Sequence, residues 1–259
     1  LLVFLLIYTL EGMLTINGKI RMNYKLYITA LAFCLIASCK QQKNEEPIQD
    51  SMSIISKATE EAGGLENWTK LNEVKFGLNK ISFDKGASTE INEIHVYERG
   101  DRPKKRISFE NESGDFITYA DIVGQYFSFE NDTEDTLVNK ETVKMTVLDA
   151  YQMTCLPFNI IDLEGQMKYL GSDSTTHSEV SEVVAISEDN QKWWFYFSKK
   201  SGAVLSYKHL RYGITTQTVI EVRQEFEGFQ LPVYVKKYRL DGDRKVLLEN
   251  IYLGTRTFK

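Results

Sequence analysis

The 259-residue chain carries 36 acidic against 31 basic side chains, a formal net charge of −5, and only three histidines and three cysteines. That balance argues against a nucleic-acid partner and against adhesion to anionic lipid through basic patches. The length is sufficient for one domain to bury a sizeable core.

The first apolar run, Leu1-Leu2-Val3-Phe4-Leu5-Leu6-Ile7, gives way to Gly12, Asn17, Gly18, Lys19 and Arg21. It is too short to span a bilayer, and residues 1–21 are expected to be an upstream extension ahead of a true start at Met22. From Met22 the pattern is ordered. Asn23, Tyr24 and Lys25 form a short charged lead, about 11 apolar residues follow from Leu26 to Ile36, and Ala37-Ser38-Cys39 closes the run with small residues and a thiol. This resembles a bacterial lipobox. The resemblance implies a signal peptide over 22–38, cleavage between Ser38 and Cys39, a diacylglyceryl thioether on Cys39 and an acylated (palmitate-type) amine. The protein's membrane partner would then be reached through an acyl anchor. Removal of residues 1–38 takes away Lys19, Arg21, Lys25 and Glu11, so the mature chain is more acidic still. On that reading Cys34 would leave with the signal and Cys39 would be acylated, which would leave Cys155 as the one thiol and exclude an intramolecular disulfide. Lys40 stands where enteric lipoproteins carry an inner-membrane retention aspartate. That resemblance favours an outer-membrane lipoprotein of a Gram-negative cell envelope facing the periplasm, with surface display left open by Glu45-Glu46.

Residues 39–50 are polar and read as a disordered tether, and 51–259 as a single β-rich domain. The domain opens on a helix over 51–62, capped by Ser51 or Ser53, with Met52, Ile55, Ala58, Thr59 and Ala62 on its buried face and Gly63-Gly64 as its left-handed stop. Leu65, Trp68 and Leu71 form an apolar turn, with Trp68 as a core plug. Strands are predicted over 73–83, 90–98, 104–111, 115–120, 125–130, 166–170, 178–187, 192–198, 203–211, 216–224, 228–240 and 245–258, separated by Gly, Asn, Asp and Ser turns. A second helix is predicted over 140–153 from the spacing of Val143, Val147, Leu148 and Tyr151. The run Trp193-Trp194-Phe195-Tyr196-Phe197 is aromatic on both faces of its strand. One alternating set is expected to line an apolar concavity with Phe127 or Phe129 while the other packs beneath helix or loop, and the alternation does not say which.

Signals of catalysis are sparse. No nucleophile elbow, zincin motif, phosphate loop or paired zinc cysteines occur, so no cofactor or metal is expected. His95, His177 and His209 lie on separate segments, and the acidic stretches 131–135 and 241–243 read as solvated turns rather than calcium loops. Cys155 has no basic neighbour in sequence and reads as a small buried residue.

The tether, the amphipathic helix, Ala58-x-x-x-Ala62-Gly63-Gly64-x-x-x-Trp68 and the antiparallel series together resemble Gram-negative lipoproteins whose domain is similar to the LolA/LolB lipoprotein carriers. The resemblance implies an α+β, predominantly antiparallel fold: a curved incomplete β-barrel with two or three helices covering its concave face. It also implies a non-enzymatic envelope protein that binds an acyl chain, lipid or lipoprotein lipid. A structural or protein-interaction lipoprotein with a filled core and an envelope hydrolase with a dispersed site are the alternatives. The oligomeric state is not legible.

Overall fold

The computed structural model describes residues 50–259, apart from positions 101, 189 and 243 and the side chain of Thr255. The expected extension, the signal, the Ser38/Cys39 junction and the tether through residue 49 lie outside the described residues.

Helices α1 (Ser51–Glu61) and α2 (Leu65–Thr69) precede β1 (Glu73–Asp84), β2 (Ala87–Glu98), β3 (Lys104–Glu110), β4 (Phe116–Ile122), β5 (Gln125–Glu130) and β6 (Thr133–Glu134). Helix α3 (Lys140–Thr154) and a 3-10 turn (Ile160–Asp162) then lead to β7 (Gln166–Asp173), β8 (Ser181–Glu188), β9 (Gln191–Ser198), β10 (Val204–Arg211), β11 (Ile214–Phe226), β12 (Phe229–Asp241) and β13 (Arg244–Phe258). Every strand run expected from the sequence is present, and the two-residue β6 is added.

The strands form one antiparallel sheet in the order β6-β5-β4-β3-β2-β1-β13-β12-β11-β10-β9-β8-β7. Two meanders therefore meet at the β1–β13 pair, and β6 and β7 are the two free edges. The segment carrying α3 has to travel from one edge to the other. At about 1.5 Å per residue α3 is roughly 22 Å long, whereas 13 flat strands would span about 58 Å at ~4.8 Å each. The sheet curves, and α3 lies within the curve, on the face where β1 buries Val74, Phe76 and Leu78 and β2 buries Glu93, His95 and Tyr97.

Helix α1 differs from expectation at its start. Asp50, not Ser51 or Ser53, is the cap: its Oδ1 accepts from the Ser53 N–H at 2.7 Å. The buried stripe is Ile54, Ile55, Ala58 and Thr59, with Met52 50% exposed, because the i, i+4 pair Ile54/Ala58 and not Met52 faces the sheet. The stop is as expected. Gly63 and Gly64 have φ of +117° and +88°, and the Gly64 N–H returns to the Thr59 carbonyl at 2.8 Å. A Cβ on Gly63 would sit 2.4 Å from the Gly228 carbonyl oxygen, so the glycine lets α1 close directly on the β11–β12 turn.

Three apolar clusters fill the concave side. Trp68 is 1% exposed, stacks on Phe158 at 4.4 Å and meets Phe229 and Phe258 edge-on. A second cluster places Ile54, Ile55 and Ala58 of α1 on β8–β11. In the third, Val143 and Val147 of α3 pack on Ile107, Phe109, Tyr119 and Tyr126 of β3–β5. Helix α3 is thus seated on one arm of the sheet.

Candidate functional site

The aromatic run on β9 is divided by strand alternation. Trp193, Phe195 and Phe197 are buried in the cluster beneath α1. Trp194 and Tyr196 lie on the other face of the strand, where Lys192 Nζ sits 5.0 Å from the Trp194 ring and Lys208 Nζ 5.0 Å from the Tyr196 ring. His177, bonded through Nε2 to Ser206 Oγ at 2.8 Å, packs against Tyr196. Lysine stems and a loop histidine therefore cover the second set, which is how both faces are apolar without a second sheet. Phe127 and Phe129 stack on one another along β5, with Lys140 over Phe127. It is Tyr126, not Phe127 or Phe129, that shares a cleft with Trp193.

Seating α3 on β3–β5 leaves open space against the opposite arm. There a cleft of about 320 Å³ lies between α3 and strands β1, β2 and β10–β13. Leu78, Met145, Ala150, Met153, Tyr207 and Ile251 contribute its apolar walls, and Lys80, Glu93, His95, Asp149, Lys237 and Glu249 its polar part. The volume falls in the roughly 300–1,000 Å³ range of small-molecule sites, and the mixture of apolar wall and few polar groups is characteristic of them.

The polar floor is built on β2 by residues two apart. Glu93, His95 and Tyr97 share a face, are all buried, and are joined side chain to side chain. His95 Nε2 lies 2.7 Å from Glu93 Oε2 and Nδ1 lies 3.0 Å from Tyr97 Oη, while Thr154 Oγ1 at the end of α3 donates to Tyr97 Oη at 3.0 Å. With Tyr97 Oη donating to His95 Nδ1 and His95 Nε2 donating to Glu93, both ring nitrogens have a partner, while the single Thr154 hydroxyl proton is shared between Tyr97 Oη and the Ala150 carbonyl at 2.9 Å. Lys80 Nζ donates to the other carboxylate oxygen of Glu93. Burial alone would push the Glu93 carboxyl up; the His95 bond and the Lys80 charge outweigh it and hold the group at about 2. Both ring nitrogens of His95 are committed to protein partners, so neither is free to take a proton from a bound substrate. The spacing Glu93-x-His95-x-Tyr97 on a strand was the signal available in the sequence, and reading His95 as an isolated strand residue missed it.

A second cleft, about 280 Å³, lies on the other flank of α3 and includes Lys105, Tyr126, Leu148, Tyr151, Trp193 and Arg211. Asp149 borders both clefts. It reaches across to β10, where Arg211 Nη2 donates to its Oδ1 at 3.1 Å. Gln191 Oε1 accepts from Arg211 Nε at 3.0 Å and lies 3.2 Å from His209 Nε2, and Trp193 stacks on the His209 ring at 4.6 Å. Burial draws His209 down to about 4 against the opposing pull of Asp149. Tyr212 Oη donates to Glu141 Oε1 at 3.3 Å, a second bridge between α3 and the β10 arm. Polar contacts tie α3 to this arm, where apolar packing seats it on the other.

Cys155 is wholly buried, and burial pushes its thiol up to about 12. No grouping of three or more His, Cys, Asp or Glu side chains able to hold a metal ion occurs among the described residues.

No protein-family model matches the chain, and no curated protein sequence does. Solved structures do. One is a LolA superfamily protein from Nitrosomonas europaea, with a TM-score of 0.57 and 9% identity over 82% of this chain and 94% of that one. The fold is LolA-like. The same LolA-like arrangement extends to a domain described as an outer membrane lipoprotein-sorting protein from Vibrio parahaemolyticus (TM-score 0.50, 8% identity, 80% of this chain and 92% of that one). It extends also to a DUF1329 family protein from Desulfovibrio piger (TM-score 0.54, 6% identity, 80% and 92%).

Proposed function

We propose that this protein is a lipid-anchored, non-enzymatic protein of the Gram-negative envelope that holds an acyl chain, a lipid or the lipid of a lipoprotein in the cleft beneath α3. The observation that carries the reading is the one-sided seating of α3, which leaves about 320 Å³ lined by Leu78, Met145, Met153 and Ile251 between the helix and a LolA-like sheet. Methionines suit a ligand of variable shape, since their unbranched side chains repack at little cost. Each buried CH₂ contributes about 0.8 kcal/mol, so a chain of modest length binds usefully without any dedicated polar motif. Relatives in fold that carry the names LolA superfamily and outer membrane lipoprotein sorting support the same class of ligand. The commitment of both His95 nitrogens favours binding over hydrolysis.

The anchor rests on the lipobox at Ser38-Cys39, and the outer membrane is its proposed site because Lys40 follows the cysteine. Native mass spectrometry of the purified full-length chain tests the ligand: a copurified species with the mass of a fatty acid or glycerolipid is expected. Its absence from protein prepared directly from membranes would overturn the reading. Intact mass tests the anchor, with residues through Ser38 lost and acyl mass gained. Cys39→Ser should remain uncleaved or become soluble, and a variant that still cleaves and fractionates with membrane would refute lipidation there.

A further inference from the structure

A separate cleft, about 340 Å³, opens where the end of α1 meets the β9–β10 turn, the segment after α3, and strands β11 and β12. Ala58, Ala62, Leu156, Pro157 and Val204 make its walls apolar, and Arg223 from β11 enters it. The pairing of β11 with β12 shifts register between Ile220 and Val222 and again between Val222 and Arg223, the kind of irregularity that re-aims a side chain out of the regular alternation. The Arg223 side chain makes no hydrogen bond or ion pair among the described residues, and its Nη2 is buried without a partner. Burial alone draws its guanidinium down to about 10. Other cations held back from water on this sheet meet a partner: Arg211 pairs with Asp149, Lys80 pairs with Glu93, and Arg256 lies over Phe76 and donates to the Pro232 carbonyl.

We propose that this cleft binds a singly charged carboxylate amphiphile, with its carboxylate on Arg223 and its alkyl body along Ala58, Leu156, Pro157 and Val204. A guanidinium nitrogen buried without a partner, on a half-buried side chain, is unfavourable, and a planar carboxylate matches the guanidinium fork with two parallel hydrogen bonds. Glu61, exposed on the rim of the same cleft, disfavours a second negative charge, so a carboxylate fits better than a phosphate dianion. The site is distinct from the cleft beneath α3, which contains neither Arg223 nor any residue of α1.

The test is binding of carboxyl-¹³C-labelled decanoate to the purified full-length chain by NMR and calorimetry, with decanol and decyl phosphate as comparison probes. Decanoate is expected to bind at least tenfold more tightly than either. Arg223→Met, which keeps the length and removes the charge, is expected to weaken decanoate at least tenfold and leave decanol unchanged. Wild-type affinity of Arg223→Met for decanoate overturns the proposal, as does wild-type protein that binds none of the probes. Tighter binding of decyl phosphate than decanoate would assign the cleft to phosphate amphiphiles and refute the carboxylate. Ala203→Leu, which narrows the cleft and leaves Arg223 in place, is expected to weaken decanoate too, and gives an answer if Arg223→Met fails to fold. Met145→Glu separates the two sites: loss of decanoate there, with retention in Arg223→Met, would place the carboxylate beneath α3 and leave the proposed function standing without this second site.

Discussion

Glu93→Gln is the sharpest perturbation of the cleft floor. The carboxylate is 7% exposed and held at about 2 against an ordinary value of 4.5. A difference of that size is worth ~3 kcal/mol, at about 1.4 kcal/mol per pH unit. Because the folded-state value lies below the unfolded one, the contribution is complete above pH 4.5 and is lost as the pH falls through the window toward 2. A glutamine at this position would keep the shape and still accept from His95 Nε2, but it can oppose Lys80 only with a neutral amide. Urea unfolding of wild type and variant at a series of pH values should therefore show a gap of ~3 kcal/mol at pH 6 that closes toward zero near pH 2. A gap that stays constant across that range would mean that the variant is destabilised by packing, and that the Lys80–Glu93–His95 charge arrangement contributes nothing.

Helix α3 offers a paired contrast, since Met145 borders the cleft and Val147, two residues on, is wholly buried against β3–β5. Met145→Glu should abolish copurified lipid with under ~1.5 kcal/mol of destabilisation, whereas Val147→Glu should cost more than ~3 kcal/mol or unfold the protein; equal effects of the two on stability would refute an open cleft. Gly63→Ala should lower the unfolding free energy by at least ~2 kcal/mol, measured in urea, because it meets both a positive φ and the Gly228 carbonyl. His209 is held below its ordinary value, so wild-type stability should be intact above pH 6.5 and fall as the pH drops toward 4, where the unfolded chain binds a proton that the folded chain refuses. His209→Asn should flatten that fall, and an unchanged pH profile would show that the ring does not resist protonation.

Local periodicity made most of the elements legible. The α3 residues Val143 and Val147 announced both the helix and the side that packs, and Gly63-Gly64 announced where α1 stops. The cap at Asp50 and the exposure of Met52 were not legible, because Asp50, Ser51 and Ser53 are all competent caps and a helical wheel rotated by one residue fits the same apolar positions nearly as well. The site was harder. Glu93, His95 and Tyr97 are each ordinary on a strand, and their meaning depends on Lys80 from β1 and Thr154 from α3, residues brought there by sheet pairing and by the edge-to-edge crossover.

The β9 aromatics mark the boundary between the two kinds of information. Alternation follows from the extended backbone of any strand, so once the segment reads as a strand the sequence alone determined that Trp193, Phe195 and Phe197 share one face and Trp194 and Tyr196 the other. It also determined an antiparallel, strand-dominated domain with helices near its start and its middle. Which face lies beneath α1, which is covered by Lys192 and Lys208, and where an empty volume remains were decided by tertiary structure alone. A cavity is a mismatch between two packed surfaces, here α3 and the far arm of the sheet, and no single segment of chain encodes it.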